Sequence, residues 1–129
     1  MEKIKIGIVG FGNLGKGVLK ALLNNTDMEL IGVFTRRDPK LLDTFGAPCF
    51  HINDINNFTD KIDVMILCGG SATDLPKQGP EIAKIFNTID SFDTHAEIPQ
   101  YYEMMNNSSL EGKKISIIST GWDPRCIFN

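Results

Sequence analysis

With 129 residues, 42% of them hydrophobic, and a formal net charge of −3, the chain can bury one ordinary core, which excludes a disordered tail or a coiled coil and predicts a single domain over residues 1–129. Thirteen basic residues scattered among sixteen acidic ones exclude a basic nucleic-acid or membrane surface and point to a small soluble partner. Cys49, Cys68 and Cys126 are odd in number and lack metal-ligand spacing, and the start "MEKIKIGIV" is too short and too charged for a signal peptide or membrane span, so a reducing cytoplasmic setting without a metal centre is expected.

An apolar, β-branched run predicts a first strand over Lys3–Val9. A helix over Asn13–Leu23 would put Leu14, Val18, Ala21 and Leu22 on one face. The second strand is Glu29–Phe34. From Asp38 to Asp60 the pattern is poor, and only a short helix and a weak edge strand near Pro48–Phe50 are expected. Val64–Cys68 reads as the fourth strand, with Cys68 as a small core residue. Pro80–Phe86 reads as a helix with Ile82, Ile85 and Phe86 inward, followed by a strand over Thr88–Ser91. A third helix runs from Ile98 to Asn106. Its Tyr101, Tyr102, Met104 and Met105 form a core stripe, and the polar run "NNSSLEGKK" follows it. Lys114–Ser119 completes the set. Strands alternating with helices predict an α/β, doubly wound Rossmann fold of about six mostly parallel strands with helices on both faces.

The stretch "GIVGFGNLGKG" sets Gly10, Gly12 and Gly15 in the spacing G-x-G-x-x-G, after a strand and at the mouth of a helix. Gly10 permits the tight turn, Gly12 lets a pyrophosphate reach the backbone, and Gly15 lets the helix pack close to the first strand. Unpaired N–H groups at the helix start then face the anion. A glycine-rich turn without a ligand is the plain alternative, and the flanking strand and helix argue against it.

Such folds usually carry an acid about 20 residues past the motif, where it holds the ribose hydroxyls. Here that position reads Thr35, Arg36, Arg37. A carboxylate would repel a 2′-phosphate, whereas guanidinium groups bind it with charge-assisted bonds and Thr35 adds a hydroxyl. The cofactor expected is therefore NADP rather than NAD. Asp38, one residue on, could partly pair the arginines.

Ligands in open parallel sheets bind outside the carboxyl ends of the strands. After the fourth strand, "CGGSATD" offers Gly69 and Gly70 as space and Ser71 and Thr73 as hydroxyls or helix caps. After the fifth, "DSFDTHAEIP" holds Asp90, Asp93, His95 and Glu97, acids that suit an amine-bearing substrate. After the sixth, "STGWDP" presents Trp122 and Asp123. Taken singly, each acid also reads as a solvated loop residue or cap, and Trp122 as a packing anchor.

On "GFGNLG", "FTRR", "LCGGSATDLP", "DSFDTHAEIP" and "STGWDP", the chain resembles the N-terminal, cofactor-binding part of the meso-diaminopimelate D-dehydrogenases along essentially its whole length. The resemblance implies NADP-dependent, reversible oxidative deamination of the D-centre of meso-2,6-diaminopimelate to L-2-amino-6-oxopimelate, on the route to lysine. It implies that Phe11, Gly12, Asn13 and Leu14 lie along the pyrophosphate, Thr35, Arg36 and Arg37 around the 2′-phosphate, and Gly69, Gly70, Ser71 and Ala72 beside the nicotinamide half. Phe92, Asp93 and Thr94 would also line the cofactor. Asp93 and Asp123, with Trp122, would hold the reacting amino acid centre, making the two acids the candidate catalytic pair. Glu97 stands where the family is expected to have Asp, and it would reach toward the substrate amine. Carboxylates there would orient the amino group and stabilise the iminium formed as hydride leaves.

Family members are much longer, so the expectation is a shortened copy lacking the substrate half and the homodimer surface. Two other readings stay open: an NADP-binding module without turnover, and another oxidoreductase of this architecture, such as a dihydrodipicolinate reductase or a Gfo/Idh/MocA-type enzyme. The last leaves "DSFDTHAEIP" and "STGWDP" without a role.

Overall fold

The computed structural model describes residues 3–69, 74–90 and 95–118. The chain divides into two compact units, Met1–Gly69 and Gly70–Asn129.

In the first unit, β1 (Ile4–Val9) leads through a glycine turn to α1 (Asn13–Leu23), then to β2 (Met28–Thr35), β3 (Cys49–His51) and β4 (Val64–Leu67). These strands lie side by side in the order β3-β2-β1-β4, all parallel. Parallel neighbours need crossovers, which α1 and the 38–60 connection supply. That connection contains two 3-10 helices, Pro39–Leu41 and Ile52–Phe58, and no α-helix among its residues.

Side chains alternate across the strands, and each face has its own core. On one face Ile6, Ile8, Val33 and Cys68 pack with Phe11 and with Leu19 and Leu22 of α1. On the other, Phe34, Phe50 and Phe58 form a ring cluster with centroids 4.7–5.7 Å apart. Cys68 is buried, and burial pushes its thiol up to about 12. The inward face of α1 differs from the sequence expectation. Gly15, Leu19 and Leu22 are buried and Val18 half-buried, while Leu14 and Ala21 are exposed. The helix turns Gly15 inward against the Gly10 carbonyl, and this rotates Leu14 outward.

In the second unit, α2 (Asp74–Ala83) is followed by β5 (Asn87–Asp90), a 3-10 turn (His95–Glu97), α3 (Ile98–Gly112) and β6 (Ser116–Ile117), with β5 and β6 parallel. The predicted helix over Pro80–Phe86 is displaced: α2 begins at Asp74 and stops at Ala83, with Pro80 inside it. Its buried stripe is Leu75, Gly79, Ile82 and Ala83, a helical spacing disguised in sequence by the glycine. Gly79 is small because a Cβ there would sit 2.8 Å from the Tyr101 hydroxyl and 3.0 Å from the Met105 sulfur.

The third helix also differs, running on through "NNSSLEG" to Gly112. Ser108 and Ser109 are buried, and the Ser109 hydroxyl donates to the Met105 carbonyl at 2.8 Å and is bonded to Ser116. Thr88 of β5 donates to the same Ser116 oxygen at 2.8 Å. Bonding of the Ser109 hydroxyl thus offsets the burial of a polar group within this helix. Of the predicted stripe, Tyr101 and Met105 are buried, Met104 is half-buried and Tyr102 is exposed.

Candidate functional site

The glycine turn follows from the first core. Gly10 has φ +89°, and a Cβ on it would lie 3.2 Å from the backbone of Cys68 and Gly69, so only glycine fits between β1 and β4 there. A Cβ on Gly15 would come 2.5 Å from the Gly10 carbonyl oxygen, which requires the bare backbone where α1 meets the turn. Gly12 is different. Nothing lies within 4 Å of where its Cβ would be, and its φ is −88°. Packing therefore does not explain that glycine, whereas an approaching ligand would.

Gly12 is the N-cap of α1, with no side-chain cap and no acid in the first turn. The opening N–H groups of the helix, around Asn13, Leu14 and Gly15, have no intrahelical acceptors, and the positive end of the helix dipole is left for an anion. Gly12, Asn13 and Leu14 are exposed there, while Phe11 turns its ring into the core and leaves its carbonyl to the turn.

The end of β2 reaches this turn. The Gly10 N–H donates to the Phe34 carbonyl at 2.9 Å. Arg37 donates from Nη2 to the Phe11 carbonyl at 3.3 Å, and its backbone N–H donates to the Thr35 hydroxyl at 3.0 Å. Thr35 is buried, whereas Arg36 and Arg37 are exposed. Asp38 accepts from the Lys40 N–H at 3.0 Å and so caps the 3-10 turn that follows. The turn and the basic corner thus form one continuous rim at the carboxyl ends of β1 and β2.

Gly69 lies two residues past the end of β4, beside Gly10. Gly70, Ser71, Ala72, Phe92, Asp93, Thr94, Trp122 and Asp123 lie outside the described residues. Glu97 is exposed at the N-terminus of α3 and makes no side-chain cap bond. Asp90, which ends β5, is buried and accepts a hydrogen bond from the Tyr101 hydroxyl. Burial first, and then Asp90, raise that hydroxyl well above the usual tyrosine range.

The expected edge strand stopped at Phe50, but β3 includes His51, in register with Thr35. Extending the strand by one residue would have found it.

No family model matches the chain. A meso-diaminopimelate D-dehydrogenase of Ureibacillus thermosphaericus is 58% identical over 125 residues, which cover 96% of this chain and 38% of that protein. This chain is homologous to the meso-diaminopimelate D-dehydrogenases. It spans about 38% of the length of those relatives, in their N-terminal part. Among solved structures, a Corynebacterium glutamicum diaminopimelate dehydrogenase in complex with diaminopimelate superposes with a TM-score of 0.90 at 42% identity, over 96% of this chain and 38% of that one. An engineered D-amino acid dehydrogenase bound to NADP+ gives 0.89 at 42% identity, over 95% and 37%. The α/β, Rossmann-like class follows from these matches to the diaminopimelate dehydrogenases, with six strands among the described residues.

Proposed function

We propose that residues 1–129 form the NADP-binding domain of a meso-diaminopimelate D-dehydrogenase. The observation that carries this reading is the Arg37 bond to the Phe11 carbonyl, which joins a basic strand end to a glycine turn whose Gly12 faces open space. A pyrophosphate fits the uncapped start of α1, and the 2′-phosphate that distinguishes NADP fits Thr35, Arg36 and Arg37. Gly69, Gly70, Ser71 and Ala72, with Phe92, Asp93 and Thr94, would line the nicotinamide half. The relatives named for diaminopimelate and the neighbour bound to NADP+ support the same cofactor and substrate.

In the whole enzyme the reaction would be reversible oxidative deamination of the D-centre of meso-2,6-diaminopimelate. NADP supplies the hydride acceptor when bound. Asp93 and Asp123 would hold the amino group through its change of charge, Trp122 would wall the centre, and Glu97 would reach the amine. Cys49 and Cys68 are free thiols, which supports a reducing, cytoplasmic setting. Among the described residues no helix is long and apolar enough to cross a membrane.

Calorimetric titration with NADPH tests the reading. Saturable binding, tighter than for NADH, is expected, and no binding at millimolar concentration would overturn it. A binding module without turnover is the second reading. NADPH formation from NADP and meso-diaminopimelate by the purified chain would reject it.

A further inference from the structure

His51 is the last residue of β3 and the register partner of Thr35. Alternation along the strand puts it on the same face as Cys49, just as Thr35 shares the face of Val33. Val33 and Cys49 pack in the core that holds Phe11 and Leu19 of α1. His51 therefore stands at the carboxyl end of β3, on the α1 face, next to the strand end that carries Thr35, Arg36 and Arg37. Arg37 belongs to this corner too. Burial raises the Cys49 thiol, and the Arg37 charge acts on it in the opposite sense.

A hydrogen bond within the chain sets the state of the His51 ring. Its Nδ1 accepts the Asn53 N–H at 3.1 Å and caps the 3-10 helix Ile52–Phe58. A ring nitrogen that accepts carries no proton, so the neutral imidazole has its proton on Nε2. The ring is thus held as a donor on the side not used by the cap, and the residue is only half-buried.

We propose that His51 is a third side chain of the 2′-phosphate subsite, donating from Nε2–H to the phosphate that Arg36 and Arg37 neutralise. This rests on the NADP reading above. The ring would add a directed donor to the two guanidinium charges, because its own cap bond already orders it.

The test uses two partial mimics of the ring. In His51→Asn the side-chain oxygen matches Nδ1 and keeps the cap while the distal donor is lost. In His51→Gln the amide matches Nε2 and keeps the donor. Both variants and the wild type are titrated with NADPH and NADH, with thermal unfolding measured alongside. His51→Asn should keep its unfolding midpoint and bind NADPH about tenfold more weakly, as for one lost bond to a charged acceptor, with NADH affinity unchanged. His51→Gln should keep NADPH affinity within about threefold even where its unfolding midpoint falls. Wild-type NADPH affinity in His51→Asn, or equal losses for both nucleotides, would overturn the role of His51. A wild type that does not prefer NADPH to NADH would instead overturn the NADP reading, and the His51 role with it.

Discussion

The Arg37 guanidinium donates to the Phe11 carbonyl at 3.3 Å, across 26 positions of sequence, and so ties the end of β2 to the glycine turn. Under the NADP reading proposed above, selection of the cofactor and shaping of its phosphate turn would share one side chain. Replacing Arg36 and Arg37 together with alanine should weaken NADPH binding by at least about tenfold, since each bond to a charged acceptor contributes about 1.5–3 kcal/mol. NADH binding should fall much less. Equal losses in parallel titrations would exclude a 2′-phosphate role for the pair.

The two later glycines of the turn should separate stability from binding. Gly15→Ala drives a methyl against the Gly10 carbonyl and should cost about 1–3 kcal/mol in urea unfolding, as overpacking does. Gly12→Ala meets nothing in the chain and should cost less than about 1 kcal/mol, yet lose most NADPH affinity. An unchanged NADPH titration in Gly12→Ala would mean that no pyrophosphate approaches there.

In the second unit, Tyr101 and Asp90 are each 1% exposed and share a hydrogen bond. Tyr101→Phe keeps the ring and removes the donor, so it should destabilise by about 1–3 kcal/mol without opening a cavity. Chemical denaturation measures this directly. A variant as stable as the wild type would show that the bond contributes nothing net.

Cys68 predicts a loss of stability at alkaline pH. Its thiol is raised from 9.0 to about 12 by burial, so above pH 9 the unfolded chain releases a proton that the folded chain retains. Its contribution is whole below pH 9 and declines by about 1.4 kcal/mol per pH unit as the pH rises toward the folded value. Cys68→Ala should flatten this decline between pH 9 and 10.5, measured by urea midpoints. Parallel curves for variant and wild type would refute it.

Much of this protein could be read from sequence because its signals are local. The strand β1, the bounds of α1 and the G-x-G-x-x-G turn depend on runs of neighbouring residues, and the absent acid at Thr35–Arg37 needs only a count along the chain. Elsewhere packing overrode the local pattern. The stripe of α2 passes through Gly79, which is small for the sake of Tyr101, and α3 continues through Ser109, whose hydroxyl bonds to the Met105 carbonyl and to Ser116 of β6. Leu14 looked inward by periodicity but faces out, because Gly15 must face the Gly10 carbonyl.

By itself the sequence determined the class of fold, the glycine turn and the basic charge at the end of β2, since glycine, strand and helix preferences and ionic charge are properties of short stretches. Only the tertiary structure decided that Arg37 touches Phe11 and that His51 stands beside Thr35. Those pairs lie 26 and 16 positions apart, and parallel pairing of strands joined by long crossovers is what brings them together.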